Sequence, residues 1–293
     1  MRKLCRLAIP AALLAAVILV GLVQQMPAQS FSPILVGTTG ACNNPNQGGP
    51  CTQKSTLVQL DWRTGQLIRT IGPVGFTVNG LAWDAQSRKL YATTSIGDIV
   101  FHGLITIDLK TGAGTPVDAS VVNFGLAGTP SPIHSITVGL LGNLVGWYDE
   151  FPPPVGITDT FVHLNKKTGV ATEFLNTGID TAGNGLSFGF LKLLLWNIDA
   201  PRADVNTGVV TQTAYLLSPF DGKPFFSEQL SPPTNAALGD FNLANNLYYG
   251  VDFEPDPATK VKTAFIVQVD LLKGTVTTLA QTVDNLHVIA FIP

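Results

Sequence analysis

Along most of the chain, short runs of apolar and β-branched residues alternate with polar turns. Within the runs the apolar period is closer to two than to 3.6, which predicts strands. The clearest unit is an apolar segment that ends in a polar residue and turns onto glycine four residues later. It recurs at Asp61-Trp-Arg-Thr-Gly65, Asp108-Leu-Lys-Thr-Gly112, Asn165-Lys-Lys-Thr-Gly169, Ser218-Pro-Phe-Asp-Gly222 and Asp270-Leu-Leu-Lys-Gly274, at intervals of 47, 57, 53 and 52 residues. Leu57–Leu60, Leu104–Ile107, Phe161–Leu164, Ala214–Leu217 and Phe265–Val269 precede the turns, and strands such as Gln66–Ile71 and Thr275–Leu279 follow. An Asp or Asn side chain bonding forward to backbone amides, with glycine at positive φ, predicts a β-hairpin at each copy.

A second element alternates with the first. Asn79-Gly-Leu-Ala-Trp-Asp84 leads through a polar turn to Leu90–Thr94. Its counterparts are His134–Gly139 with Leu144–Tyr148, Asn184–Gly189 with Leu193–Trp196, and Asn235–Phe241 with Leu247–Val251. The last copy, Asn285–Phe291, has no partner after it, but Ile34–Thr39 at the other end matches the missing strand. Each unit therefore holds four strands, lettered a to d in order. The pattern predicts an all-β fold, a five-bladed β-propeller closed by pairing of N- and C-terminal strands in one shared blade. Closure of that kind removes exposed sheet edges. A many-stranded sandwich explains neither the repeat nor the matching ends.

The stretches Leu81-Ala-Trp-Asp84, Lys89-Leu-Tyr-Ala92 and Leu104-Ile-Thr-Ile-Asp-Leu-Lys-Thr-Gly112 resemble the repeats of bacterial YVTN, NHL and quinoprotein-like β-propellers. The likeness runs through the chain after the N-terminal segment and implies the fold. Such propellers carry many unrelated functions, so it implies no activity.

Composition agrees with a β-rich core. Of 293 residues, 45% are hydrophobic and only 13% charged, against about a quarter charged in an average domain. Few strong helix formers stand among many Thr and Val. A net charge of −3 without a basic stripe predicts no nucleic-acid partner.

Residues 1–30 read as a signal peptide or N-terminal anchor, leaving 31–293 as a single propeller domain. Arg2, Lys3 and Arg6 precede an uncharged apolar run, Leu7–Val23, and Ala28-Gln29-Ser30 fits a small-x-small cleavage site. Without that segment the formal charge becomes −6. The domain is expected to be secreted or periplasmic, touching a membrane only through an uncleaved N-terminal segment. Cys42 and Cys51 flank a turn-rich interval and are expected to pair as a disulfide in an oxidising compartment.

The catalytic signatures are weak. Gly185-Leu-Ser187-Phe-Gly189 matches Gly-x-Ser-x-Gly, but more strand and no helix follows, so it reads as a core strand. Asp252, Glu254 and Asp256 stand at alternate positions of a predicted loop and are weak Ca²⁺ candidates; no other cofactor is expected. The four histidines form no zinc pattern.

In a propeller, the b–c and d–a connections share one face. The b–c loops Gly40–Thr56, Ser95–Gly103, Asp149–Thr160, Ile198–Gln212 and Asp252–Thr263 are long and varied, where binding residues concentrate. Asp98, Asp149, Asp199 and Asp252 stand early in four of them. Asn79, His134, Asn184, Asn235 and Asn285 head the five innermost strands. Amide and imidazole groups around a channel mouth, backed by carboxylates, suit a cation or a polyhydroxylated ligand; the plainer reading is turn capping. The expected function is an extracytoplasmic ligand-binding or protein-interaction module, monomeric, with a protein or saccharide-like partner. A channel-mouth hydrolase, lactonase-like or glycosidase-like, and a structural surface protein are the alternatives. No catalytic residue is assigned.

Overall fold

The apolar runs become strands, and their burial falls from the inside outward. We describe the protein from a computed structural model covering residues 32–40, 53–95, 98, 100–125, 133–148, 159–179, 181, 185–189, 192–204, 206–218, 222–234, 238–255 and 262–293. Cys42, Cys51, Asp149, Asn184, Asn235, Asp256 and the 1–30 segment lie outside the described residues.

The chain begins its first blade with β1 (Ile34–Thr39), β2 (Thr56–Leu60) and β3 (Leu67–Pro73). The second blade is β4 (Val78–Asp84), β5 (Lys89–Thr94), β6 (Leu104–Ile107) and β7 (Gly114–Pro116). The third is β8 (Ile133–Val138), β9 (Leu144–Tyr148), β10 (Thr160–Leu164) and β11 (Ala171–Asn176). The fourth starts with β12 (Gly185–Gly189) and β13 (Leu194–Ile198), then inserts a small hairpin, β14 (Arg202–Ala203) and β15 (Val210–Thr211). It ends with β16 (Thr213–Leu217) and β17 (Pro224–Gln229). The fifth is β18 (Gly239–Asn242), β19 (Leu247–Pro255), β20 (Lys262–Asp270) and β21 (Thr275–Gln281). The last strand, β22 (Leu286–Ile292), returns to the first blade.

Five antiparallel four-stranded sheets result, and β22 completes the first as β22-β1-β2-β3. The closing pair runs from Ile34 opposite Ile292 to Thr39 opposite Leu286. Strand a is buried on both faces because neighbouring blades cover it; all of Gly185–Gly189 is buried. Strand d is the outer rim, so β3 is mostly exposed and reads Leu-Ile-Arg-Thr-Ile-Gly-Pro. The core is correspondingly divided. One cluster packs Val36, Leu57 and Ala290 of the first blade on Leu90 and Ile105 of the second. Equivalent clusters join second to third, third to fourth, fourth to fifth and fifth to first. Each blade buries its apolar faces against both neighbours, so the ring is held by interfaces between blades and not by one central core.

The c–d turns are built as their sequence predicts. The Asp108 carboxylate accepts the amides of Lys110 and Thr111, both at 2.8 Å, and the Gly112 amide donates to the Asp108 carbonyl at 2.8 Å. Gly112 has φ near +80°, and a Cβ there would meet the backbone of Gly72 at 2.5 Å, so a glycine is required. Asn165 repeats the arrangement with Lys167 and Thr168. A further copy, Asp204-Val-Asn-Thr-Gly208, closes the inserted β14–β15 hairpin, with Asp204 accepting the amides of Asn206 and Thr207. The motif therefore marks a local hairpin wherever it falls, not a blade boundary.

One loop expectation is corrected. The two ends of the interval from Asp252 to Thr263 are paired strand, with Asp252 opposite Phe265 and Glu254 opposite Thr263, and residues 256–261 between them lie outside the described residues. The alternation that spaces the carboxylates also suits a β-ladder, and the partner segment around Phe265 supplies the matching strand.

Candidate functional site

We call the side carrying the b–c and d–a connections the loop face, and the opposite side the turn face. The heads of the innermost strands lie on the loop face. There Val78 pairs with Thr94 and Gly80 with Thr93, which leaves Asn79 as the extra residue of a bulge. His134 is the extra residue in β8, and His287 in β22. The fifth position of this ring thus falls to His287. Asn285 stands two residues earlier, in the preceding turn, with φ near +59°. Asn79 is 5% exposed, and its side-chain Nδ2 has no hydrogen-bond partner. Burial pushes the His134 imidazole down to about 4.

The neighbouring b strands carry a second ring that sequence reasoning missed. Thr38, Thr93, Trp147 and Asn197 occupy the same register in β1, β5, β9 and β13, each opposite the second paired residue of its strand a. Thr93 spends its hydroxyl on the Ile133 carbonyl of the next blade, at 2.9 Å. Thr38 Oγ1, Trp147 Nε1 and both carboxamide atoms of Asn197 are buried without a partner. In the fifth blade the second paired residue, Asp240, stands opposite Tyr249. A polar residue at one fixed register of an otherwise apolar strand was the available signal.

Two of the predicted carboxylates, Asp98 and Asp199, have partners within the protein. Asp98 accepts Lys54 Nζ at 2.9 and 3.0 Å, and the amides of Val100 at 2.8 Å, Phe101 at 3.2 Å and Thr77 at 2.5 Å. Burial alone raises its pKa, but the Thr77 amide, the Lys54 ammonium and the other two amides outweigh burial and hold it below the usual carboxylate range. Asp98 is therefore engaged in fixing the turn that leads into β4. Three unpredicted residues, each just ahead of a strand c, also tie down d–a turns, Ser55 the same one as Asp98 and the other two the turns into β12 and β18. Ser55 Oγ accepts the Val78 amide at 2.9 Å. Asp159 accepts both the amide and the hydroxyl of Thr181, at 2.7 and 2.8 Å. Gln212 Oε1 accepts the Thr234 amide at 2.9 Å. Thr77, Thr181 and Thr234 all stand shortly before the predicted Asn79, Asn184 and Asn235, a recurrence visible in the sequence.

Asp199 faces Arg202 Nε at 3.2 Å, and its carbonyl accepts Gln212 Nε2 at 3.0 Å. Asp252 is half-buried in β19. Among the described residues no group of three or more His, Cys, Asp or Glu side chains is placed to hold a metal ion.

Deeper in the ring, side chains tie the free edges of the innermost strands together. Ser135 Oγ accepts the Leu186 amide at 3.0 Å, and Thr137 Oγ1 the Phe188 amide at 3.1 Å. Asp240 accepts the Ser187 hydroxyl at 2.6 Å and the Phe291 amide at 3.0 Å. Burial, with the Asp240 charge nearby, pushes the Tyr248 hydroxyl well above its ordinary value. Ser187 is thus the middle of a strand, bonded to a carboxylate, with strand rather than helix on either side. The Gly-x-Ser-x-Gly match is a structural seam.

No family profile and no curated protein matches the chain. Solved structures do. A putative 6-phosphogluconolactonase from Bacteroides uniformis is similar at 12% identity and a TM-score of 0.42, covering 89% of this chain and 100% of that one. Hydrazine synthase of Kuenenia stuttgartiensis gives 10% and 0.42, over 82% of this chain and 64% of the other. Regucalcin from Agrobacterium tumefaciens, described as a calcium-binding protein, gives 16% and 0.40, over 84% and 73%. The fold is a β-propeller of repeated blades.

Proposed function

We propose that the protein is an extracytoplasmic binding module that takes a neutral, polyhydroxylated, saccharide-like ligand at the channel mouth of the loop face. One observation carries this reading: Thr38, Asn79, Trp147 and Asn197 keep buried donors and acceptors unspent beneath that face. A buried polar group without a partner costs about 1–3 kcal/mol, and a ligand rich in hydroxyls can both donate to and accept from such a layer. The carboxylates described there support binding over hydrolysis. Asp98 and Asp159 already accept amides and partner side chains, so neither is poised as a general acid or base.

The test is a calorimetric titration of the full chain with a panel of polyols, monosaccharides and oligosaccharides, beside Asn197→Leu. The parent is expected to bind at least one member, and Asn197→Leu to lose that binding while gaining stability. A parent that binds no member, with the variant still stabilised, assigns the layer to structure alone and ends this reading. Release of a cleaved product during the titration would instead favour the hydrolase.

A further inference from the structure

The exposed apolar residues are not scattered. The valines Val100, Val122, Val209 and Val210 are exposed toward the loop face, whereas the leucines, isoleucines and phenylalanines lie at the turn-face end. The turns joining strands a and b differ sharply between blades. Those of the second and fifth blades are polar, Ala85-Gln-Ser-Arg88 and Leu243-Ala-Asn-Asn246. In the third blade the turn is Gly139-Leu-Leu-Gly142, with Leu140 57% and Leu141 78% exposed. The fourth adds exposed Leu193, and Phe225 stands at the same end of β17.

Cations surround these residues. Arg88, Lys89, Lys167 and Lys223 are exposed at the same end, and Lys166 and Lys192 reach Asp84 and Asp240 at 2.6 and 3.8 Å. The turns form one continuous surface, since Lys166 of the third blade bridges to Asp84 of the second and Gln86 Nε2 donates to the Leu140 carbonyl. Acids stand at this end too, Asp61, Asp108 and Asp270 in the c–d turns and Asp84 and Asp240 beside their lysines, but with Arg63, Lys110 and Lys273 in the same turns the described bases of this end outnumber its described acids. Asp98, Asp159 and Asp199 belong to the opposite face. Apolar groups and an excess of basic ones thus meet at one end although the net charge of the chain is negative.

The chain also enters the propeller at this end. β1 begins at Ile34, opposite Ile292 at the close of β22, and Ile34 itself is 42% exposed. Ten residues separate Ile34 from Val23, the last of the uncharged apolar run that follows Arg2, Lys3 and Arg6. Fully extended, such a link spans at most roughly 36 Å. An apolar segment held in a bilayer would keep the turn face at high effective concentration beside the lipid, where weak contacts suffice. Protruding leucines with lysine and arginine around them suit the headgroup boundary of an anionic membrane.

We infer that the turn face docks on an anionic lipid surface, with Leu140 and Leu141 inserted and Arg88, Lys89 and Lys167 over the headgroups, leaving the loop face turned away from the membrane. This does not depend on the ligand proposed for the loop face.

The experiment uses the full chain in vesicles of phosphatidylglycerol and phosphatidylcholine. Tryptophan is introduced by Leu141→Trp on the turn face or Val209→Trp on the loop face, and quenching by brominated lipid is read against the parent. Quenching several-fold greater at position 141 than at 209, and weaker in pure phosphatidylcholine, is expected. Equal quenching at the two positions overturns the inference. So does quenching at 141 that is indifferent to lipid charge, or a dimer in which position 141 is shielded with no lipid present, which would assign the face to a second copy. A further variant, Arg88→Ser with Lys89→Ser and Lys167→Ser, changes only exposed side chains; it is expected to fold as the parent does and to reduce the quenching at 141.

Discussion

The two faces of the propeller solve the same problem by different means. On the turn face the c–d hairpins satisfy themselves: Asp108 and Asn165 bond to amides two and three residues ahead, and glycine closes the turn. On the loop face such local bonds, as from Asp98 to the amides of Val100 and Phe101, are joined by partners from far along the chain. Lys54 meets Asp98 across 44 residues, and Asp159 meets Thr181 across 22. Local turns leave their surface free to be apolar or basic. Long-range staples bury acids and polar groups, and where a staple is missing they leave an unspent donor or acceptor. The face that assembles itself is thus the one open to lipid, and the face that needs its neighbours is the one with unspent polar groups.

The contrast can be broken most severely at Asp98. Asp98→Ala leaves the Lys54 ammonium and three amides without their acceptor, and we expect a loss of about 3 kcal/mol or more in urea unfolding. A loss no larger than for an exposed acid would show that the loop face does not rest on its staples.

Acid should act next. His134 in the folded protein takes up its proton only near pH 4, whereas the unfolded residue does so near about 6.5. The unfolded state therefore binds more protons between those values, and stability falls as pH drops through that window, by on the order of 2–3 kcal/mol. His134→Gln should reduce this step, leaving the part that belongs to His102 and His163, whose imidazoles burial also pushes down. Asp98 has the opposite ordinary charge: its folded pKa is depressed, so its contribution is present above about pH 3.9 and is lost as pH falls further. Melting temperatures across pH 3–8 should separate the two stages; a single transition below pH 4 in the parent would contradict the His134 assignment.

Asn197→Leu should move the other way, raising stability by about 1 kcal/mol, because an unpartnered carboxamide is exchanged for a packed side chain of similar volume. A loss of stability would mean that the carboxamide is satisfied in solution. The smallest effect is expected on the turn face: Asp108→Ala should lower the melting temperature far less than Asp98→Ala, because the turn is exposed and its glycine still closes it.

The fold was readable to an unusual depth, and the reason lies in particular elements. The copies from Asp61 to Asp270 each carry a complete hairpin signal within five residues, and the unpaired Asn285–Phe291 segment has its match in Ile34–Thr39. The site was readable only in part. Asn79 and His134 do head their innermost strands, but the bulge in β22 promotes His287 over Asn285, a shift that pairing decides. Asp252 and Glu254, expected in a loop, stand in strand, because β19 continues to Pro255 opposite Lys262. Asp98, singled out as a ligand candidate, is engaged by Lys54 and Thr77, partners that no local pattern announces.

What the sequence determined by itself was whatever physical chemistry confines to a few neighbouring residues: strand period, turn type, the number of blades and the closing pair. Only the tertiary structure decided which polar groups find partners, because Ser187 and Asp240, or Asp159 and Thr181, are brought within bonding distance by the packing of whole blades. It also decided which way the turns face. Leu140, Leu193 and Phe225 are unremarkable residues in separate segments, and they share one exposed end because every blade runs its strands in the same direction around the ring.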